Sequence, residues 1–372
     1  MFMRIKSQKD ELLRGIQVVQ NAVSSKNTLP ILSHILLEAV KGEIKLTATD
    51  LEIGVITTIK GEVIEEGSIT IPAKKFSEIV KELPSGVDIQ ISLKKGQSIS
   101  IEVGKSYFRL VGLQKEDFPQ LPDFPTHGTK NSDSIKIPQK LLKNMIQLTS
   151  FAMSHDETRY VLNGMLFSFK DKTLKLVATD GRRLAIIEKD LLDSGNIKKD
   201  VIIPMKAIQE INRNLTEEGD IYFYFKENQI QINLNNITIV SRLIEGEYPN
   251  YEQVIPKKIK DELKINTQEF LQATRRASIL TNQDSQSVKI NISKDKMIIT
   301  KNTPDLGEAR EEVEVDYKGG ELAIGFNPTF LIDVLKNVAD ENVKFGFIDP
   351  EKPAVIKSGE DYTYIILPMQ VS

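Results

Sequence analysis

The strongest constraint on what this chain can fold into is that it repeats itself. Ile44-Lys-Leu-Thr-Ala-Thr-Asp50 returns as Leu174-Lys-Leu-Val-Ala-Thr-Asp180, with an echo at Met297-Ile-Ile-Thr-Lys-Asn302. Other anchors fix the spacing. Ile71-Pro-Ala-Lys74 aligns with Ile203-Pro-Met-Lys206 and Phe326-Asn-Pro-Thr329, and Asp117-Phe-Pro119 with Glu247-Tyr-Pro249. The period is about 130 residues and shortens slightly in the third copy. Units of about 20–50 residues would make a solenoid. A unit this long carries enough apolar residues for a core of its own. The chain of 372 residues therefore divides into three domains, expected at 1–127, 128–256 and 257–372, with Pro-rich connectors at 118–125 and 248–256.

Each copy reads as strand, helix and three strands, written twice. Helical spacing is carried by Leu12, Ile16, Val19 and Val23, by Phe76, Ile79, Val80 and Leu83, by Leu141, Leu142, Met145, Ile146 and Ala152, and by Ile208, Ile211 and Leu215. In the third copy the helices are expected at 267–280 and around Phe330, Leu331, Val334, Leu335 and Val338. Pro72, Pro138 and Pro204 open their helices, where the first turn has no use for the missing N–H. One strand is expected at 54–63. Strands outnumber helices about four to one, so the class is α+β, with helices covering one face of mainly antiparallel sheets.

Composition excludes more than it suggests. The chain has no Cys, so disulfides and thiolate metal sites are out, and its only histidines, His34, His127 and His155, are scattered. No metal or cofactor is expected. Met1-Phe-Met-Arg-Ile-Lys6 carries no signal-peptide run, and no segment reaches the ~18 apolar residues that span a bilayer. A cytoplasmic, non-membrane protein is expected. The net charge of −3 argues against a nucleic-acid binder only until it is partitioned. The six predicted helix segments together carry +5, which leaves −8 on everything else. At 100° per residue, Lys140, Lys143, Asn144 and Gln147 share a face, as do Lys206, Gln209 and Arg213, and Gln268, Gln272 and Arg275. Such faces, without interleaved aromatics, suit phosphate contact without base reading.

Thr28-Leu-Pro-Ile-Leu32, Ala48-Thr-Asp-Leu-Glu52, Arg159-Tyr-Val-Leu-Asn-Gly-Met-Leu166, Ala178-Thr-Asp-Gly-Arg-Arg-Leu-Ala185 and Leu367-Pro-Met369 follow one another in the order of a known family. Over essentially its whole length the chain resembles the bacterial DNA polymerase III beta subunits, the sliding clamps. The resemblance implies a head-to-tail homodimer closed into a six-domain ring, helices lining the hole and sheets outside. It implies a processivity factor with no catalytic residues of its own, which slides on double-stranded DNA. It also implies a partner-peptide pocket that receives the replicative polymerase alpha subunit, the clamp loader and other proteins with a clamp-binding motif. By matching positions, that pocket comprises Leu162, Thr179, Gly181, Arg182, Arg183, Leu184, Pro249, Gln253, Val254, Asn327, Ile365, Ile366, Leu367, Pro368 and Met369. The ring contact places Lys75, Lys105, Phe108 and Leu110 against Ile279, Leu280, Glu308 and Glu311. Lys26 and Tyr160 match DNA contacts and join Lys140, Lys143, Gln147, Lys206, Arg213, Gln272 and Arg275 of the helix faces. Gln253 stands where related clamps often have Arg, and Gln370-Val-Ser372 replaces a more usual basic ending.

Two rival functions are weaker. A hydrolase built on Asp50, Asp180 and Asp305 has no nucleophile, Gly-rich phosphate loop or metal-spaced partners, and equivalent positions in separate domains do not converge on one site. A surface adhesin or carbohydrate-binding module does not account for basic helix faces.

Overall fold

The structure, a computed structural model, describes residues 2–24, 29–94, 97–122, 134–170, 172–191, 198–282 and 285–370. In the first copy, β1 (Met3–Gln8) and α1 (Lys9–Val19) lead to β2 (His34–Val40), β3 (Glu43–Thr49) and β4 (Ile53–Ile59). A short β5 (Glu62–Glu65) precedes β6 (Gly67–Pro72), α2 (Ala73–Glu82), β7 (Asp88–Lys94), β8 (Ser98–Val103) and β9 (Ser106–Val111). The second copy runs β10 (Ser134–Pro138), α3 (Gln139–Thr149), β11 (Gly164–Lys170), β12 (Thr173–Thr179), β13 (Arg183–Asp190), β14 (Lys199–Pro204), α4 (Met205–Asn214), β15 (Asp220–Lys226), β16 (Gln229–Leu234) and β17 (Ile237–Arg242). The third runs β18 (Asp261–Asn266), α5 (Thr267–Ser278), β19 (Val288–Ser293), β20 (Lys296–Thr303) and β21 (Gly307–Glu314). It ends with β22 (Leu322–Phe326), α6 (Pro328–Asn337), β23 (Asn342–Phe347), β24 (Ala354–Ser358) and β25 (Tyr362–Ile366).

The half-repeats exchange their first strands. β1 pairs with β7 of the following half while β6 pairs back with β2, and the same exchange joins β10 to β15, β14 to β11, β18 to β23 and β22 to β19. Each half therefore lacks a complete sheet without the other, which ties the halves together through backbone hydrogen bonds. Two of the resulting sheets also join across the repeats. β4 pairs with β17, giving the order β10-β15-β16-β17-β4-β3-β2-β6, and β13 pairs with β25, giving β14-β11-β12-β13-β25-β24-β23-β18. The remaining sheets, β5-β1-β7-β8-β9 and β21-β20-β19-β22, end on β9 and β21. As a result, compactness does not follow the repeat. One unit comprises 1–140 and 206–243, the other 141–205 and 244–372, and each sheet lies wholly within one unit.

Apolar residues at the expected spacings fill the interiors. Leu12, Ile16 and Val19 of α1 are fully buried, as are Phe76 and Val80 of α2 and Leu331, Val334 and Leu335 of α6. A buried side chain of this size contributes about 1.5–3 kcal/mol. Val23 lies outside α1, because the last turn tightens into a 3-10 turn at Gln20–Ala22. The strand expected at 54–63 is two strands. The Ser7 hydroxyl donates to the Lys60 carbonyl at 2.7 Å, and the chain then crosses to pair β5 with β1.

The repeated Ala-Thr-Asp segments end in the same turn. Thr49 Oγ1 donates to the Ile53 carbonyl and accepts from Leu51 N, while Asp50 Oδ1 accepts from Glu52 N and Ile53 N. Thr179 and Asp180 make the matching four bonds to Arg183 O, Gly181 N, Arg182 N and Arg183 N. The residue after each Asp takes a positive φ, +85° at Gly181 and +78° at Leu51. Glycine does so freely. Leu51, which is exposed, pays a steric cost of about 1–2 kcal/mol. Leu51→Asn, which relieves that strain, is expected to raise stability by roughly 0.5–1 kcal/mol, read as an increase in thermal midpoint; an unchanged or lower midpoint counts against the strain.

Candidate functional site

The turn after β12 aims Arg183 inward. Its Nε donates to Asp180 Oδ2 at 3.0 Å, Nη1 to Asp333 Oδ2 at 2.7 Å and Nη2 to the Phe151 carbonyl at 2.5 Å. The guanidinium also lies over the Phe330 ring, 4.4 Å from its centroid. Burial penalises the charge, but Tyr364, Asp333 and Asp180 more than offset this and raise the pKa overall. Neighbouring Tyr364 donates to the Phe330 carbonyl at 3.0 Å, and its own burial pushes its phenol pKa up, which keeps it neutral. Arg183 thus locks α6, the 3-10 turn at Ser150–Ala152 and β13 together.

On the other face of β13 lies an open cleft of about 160 Å³. Its floor is Leu184 and Ile365, directly opposed in the β13–β25 ladder and both buried. They belong to a layer with Leu166, Val177, Ile186, Ile202, Ile244 and Val355. Leu162, Thr179, Pro249, Val254 and Leu367 wall the cleft, with Val254 46% and Leu367 37% exposed, so apolar surface faces solvent here. Gly181, Arg182 and Arg183 complete the rim. The turn also holds Arg159, whose Nη1 donates to the Asp180 carbonyl at 2.8 Å.

The cleft gathers most of the fifteen positions expected in a pocket and excludes five. Ile366 is fully buried on the opposite sheet face, because strand residues alternate. Asn327 caps α6, its side-chain oxygen accepting from Thr329 N at 2.9 Å. Exposed Gln253, half-buried Pro368 and exposed Met369 do not line it; Met369 instead bridges to Gly325, N to O at 2.8 Å. Two lining residues, Asn250 and Tyr251, were missed. The signal was the echo of the connectors: a 3-10 turn at Tyr251–Val254 folds the chain after Pro249 back over the sheet.

The helix faces are less bare than the charge count implied. Lys206 is ion-paired with Asp50, and Arg213 with Glu210 on its own helix. Lys140 lies 4.0 Å from Glu217, with both side chains mostly exposed, so that pair adds little. Gln147, Gln272 and Arg275 are exposed and Lys143 is half-buried; Tyr160 is 59% exposed in a 3-10 turn at Tyr160–Asn163. Lys26 lies outside the described residues.

The positions expected at a ring contact cluster around two sheet-edge strands. Phe108 is exposed on β9, beside exposed Tyr107 and Val111; Leu110 is half-buried and Lys105 lies in the preceding turn. Glu308 and Glu311 are on β21, and Ile279, 74% exposed, and half-buried Leu280 follow α5. Two charges have partners within the chain. Lys75 pairs with Glu78 at 2.7 Å, and Glu311 accepts from Arg276 Nε at 2.9 Å and Nη2 at 2.6 Å. No helix among the described residues is long and apolar enough to cross a membrane, and no His/Cys/Asp/Glu group among them could hold a metal.

Because Arg183 is the buried countercharge of two carboxylates, Arg183→Ala is expected to cost about 3–5 kcal/mol, seen as a large fall in thermal midpoint. Asp333→Asn keeps a hydrogen-bond acceptor for Nη1 and should cost distinctly less. Equal, small effects of both would show that the lock is not energetically important.

The comparisons with known proteins agree over the whole chain. The DNA polymerase III beta subunit N-terminal domain matches 1–122, its central domain 136–250 and its C-terminal domain 252–370. The beta sliding clamp of Chlamydia muridarum is 35% identical over 363 residues, covering 98% of each chain. That of Escherichia coli K12 is 33% identical over 374 residues, covering 99% of this chain and 100% of the relative. The crystal structure of the Pseudomonas aeruginosa sliding clamp bound to griselimycin superposes with a TM-score of 0.92 at 34% identity, all of both chains covered. The Thermotoga maritima beta subunit gives 0.90 at 29%, again over both whole chains. With three domain matches in order and full-length relatives above 30% identity, the chain belongs to the bacterial DNA polymerase III beta subunit family, the non-catalytic sliding clamps of DNA replication.

Proposed function

We propose that two copies of this chain close head to tail into a ring around duplex DNA. The ring slides without sequence preference and acts as the processivity factor of the replicative polymerase. The observation that carries this reading is the pattern of sheet ends. Last strands of half-repeats meet at β4–β17 and at β13–β25, which leaves β9 and β21 as the last strands without such a joint among the described residues. Joining β9 of one copy to β21 of a second repeats the joint already used twice, and doing so in both directions is a heterologous contact that closes. Phe108, Leu110, Ile279 and Leu280 would supply its apolar centre; Lys75, Lys105, Glu308 and Glu311 would set orientation. The domains of this ring run 1–127, 128–256 and 257–372.

DNA would meet exposed helix-face residues such as Lys140, Gln147, Gln272 and Arg275, together with Lys26, Lys143, Tyr160, Lys206 and Arg213. Encirclement, rather than grip, holds such a ring, so weak and salt-sensitive phosphate contacts suffice. The cleft over Leu184 and Ile365 would take short peptide segments of the polymerase alpha subunit, the clamp loader and other partners. Its exposed apolar wall is what supports this, since an unfilled apolar surface seats aliphatic or aromatic anchors. A cytoplasmic location fits this role.

After loading, the protein should be retained on nicked circular DNA and lost on linearisation; equal retention on linear DNA with free ends would sink the topological mechanism. Phe108→Glu is expected to shift the assembly towards monomer by light scattering. Separately, Val254→Ala combined with Leu367→Ala should weaken a polymerase-tail peptide by at least tenfold, about 1.4 kcal/mol, with dimer and thermal midpoint unchanged. Unaltered peptide affinity would remove the cleft from the reading while leaving the ring.

A further inference from the structure

The molecule builds the cleft twice. In the first repeat, Gly54 opposes Val240 in the β4–β17 ladder as Leu184 opposes Ile365 in the β13–β25 ladder. The Thr49–Asp50 turn repeats every bond of the Thr179–Asp180 turn. Pro119 of the first connector stands for Pro249 of the second. These parts enclose an open cleft of about 280 Å³, larger than its counterpart.

Its chemistry has diverged. Leu121 lies directly against the backbone of Gly54, its methyls 2.5 and 2.8 Å from where a Cβ would stand, so a small aliphatic floor replaces the Leu184 side chain. Leu51, held at positive φ and 47% exposed, adds a wall where the second cleft has Gly181. Arg242 takes the rim position of Leu367, its N donating to the Glu52 carbonyl as Leu367 N donates to that of Arg182. The side chains of Arg242 and of its ladder neighbour Gln229 make no hydrogen bond or ion pair among the described residues. With Gln120 they form a rim rich in N–H donors. Among the described residues Glu52 is the one carboxylate in the lining, and it stands where the second cleft has Arg182.

We infer that this first-repeat cleft is a second peptide-docking site, which takes a short extended segment with one aliphatic side chain beside a carboxylate. The aliphatic group seats between Leu51, Leu121 and Val240. The carboxylate meets the guanidinium of Arg242, whose planar fork matches it. The two clefts of one chain therefore select different segments, and the site does not depend on the second cleft being the polymerase site.

The test is methyl NMR on the full-length protein labelled at Leu and Val, titrated with acetyl-Ala-Leu-Asp-amide and with acetyl-Ala-Leu-Asn-amide. Saturable shifts are expected at Leu51, Leu121 and Val240, with the Asn peptide roughly fivefold weaker for loss of one charge-assisted hydrogen bond. Arg242→Gln should abolish that preference, and Glu52→Gln should tighten the Asp peptide. Both variants should leave peptide binding at Leu184 and Leu367 unchanged. Non-saturating shifts, equal affinity for the two peptides, or shifts confined to Leu162, Leu184 and Leu367 would overturn the proposal.

Discussion

The antiparallel ladder that crosses a repeat boundary is the interaction on which the rest depends. A half-repeat ending at β4 or β13 would expose a full edge of unpaired N–H and C=O groups, an aggregation hazard in any sheet protein. Pairing Ile53–Thr57 with Ile237–Ser241, and Arg183–Ile187 with Tyr362–Ile366, removes that edge and makes continuous eight-stranded sheets. Both clefts sit where such a ladder runs out, between the Thr-Asp turn and a connector laid back over the strands. The clefts are thus a consequence of how the repeats are joined.

Polar interactions divide into those that hold the site and those that dress the surface. Arg183 satisfies two carboxylates and a carbonyl while buried, so removing it takes the guanidinium from Asp180 and Asp333 and leaves them only the turn's N–H groups and the more exposed Lys336. Lys75–Glu78 and Lys140–Glu217 are exposed pairs that contribute at most a fraction of a kcal/mol. Cations held this weakly exchange partners readily.

Much of the fold was legible because periodicity survives divergence. Fully buried Leu12, Ile16, Val19, Phe76, Val80, Leu331 and Leu335 all lay on the faces their spacing indicated. The cleft was legible in part. Leu184, Ile365 and Leu367 were picked out by resemblance, but Ile366, one residue away, faces the other side of the sheet, and Asn327 is a helix cap. Asn250 and Tyr251 escaped because a 3-10 turn, too short to leave a period, aims them. At Lys206 and Arg213 the charge count did not show the ion pairs that the fold makes, with Asp50 and with Glu210.

By itself, the sequence determined the family, the threefold repeat, the strand-helix-three-strand order and the turn that Thr and Asp impose after each Ala-Thr-Asp. These are local: they rest on side-chain spacing and on hydrogen bonds between residues two to four apart. Only the tertiary structure decided which strands pair across the repeats. That pairing splits the second copy between two compact units and sets a Gly54–Val240 pair in one ladder where the other has Leu184–Ile365. The reason is that strand pairing is a backbone interaction, open to any strand with a free edge. Side-chain pattern states which face is buried; the partner on the edge is chosen by the whole fold.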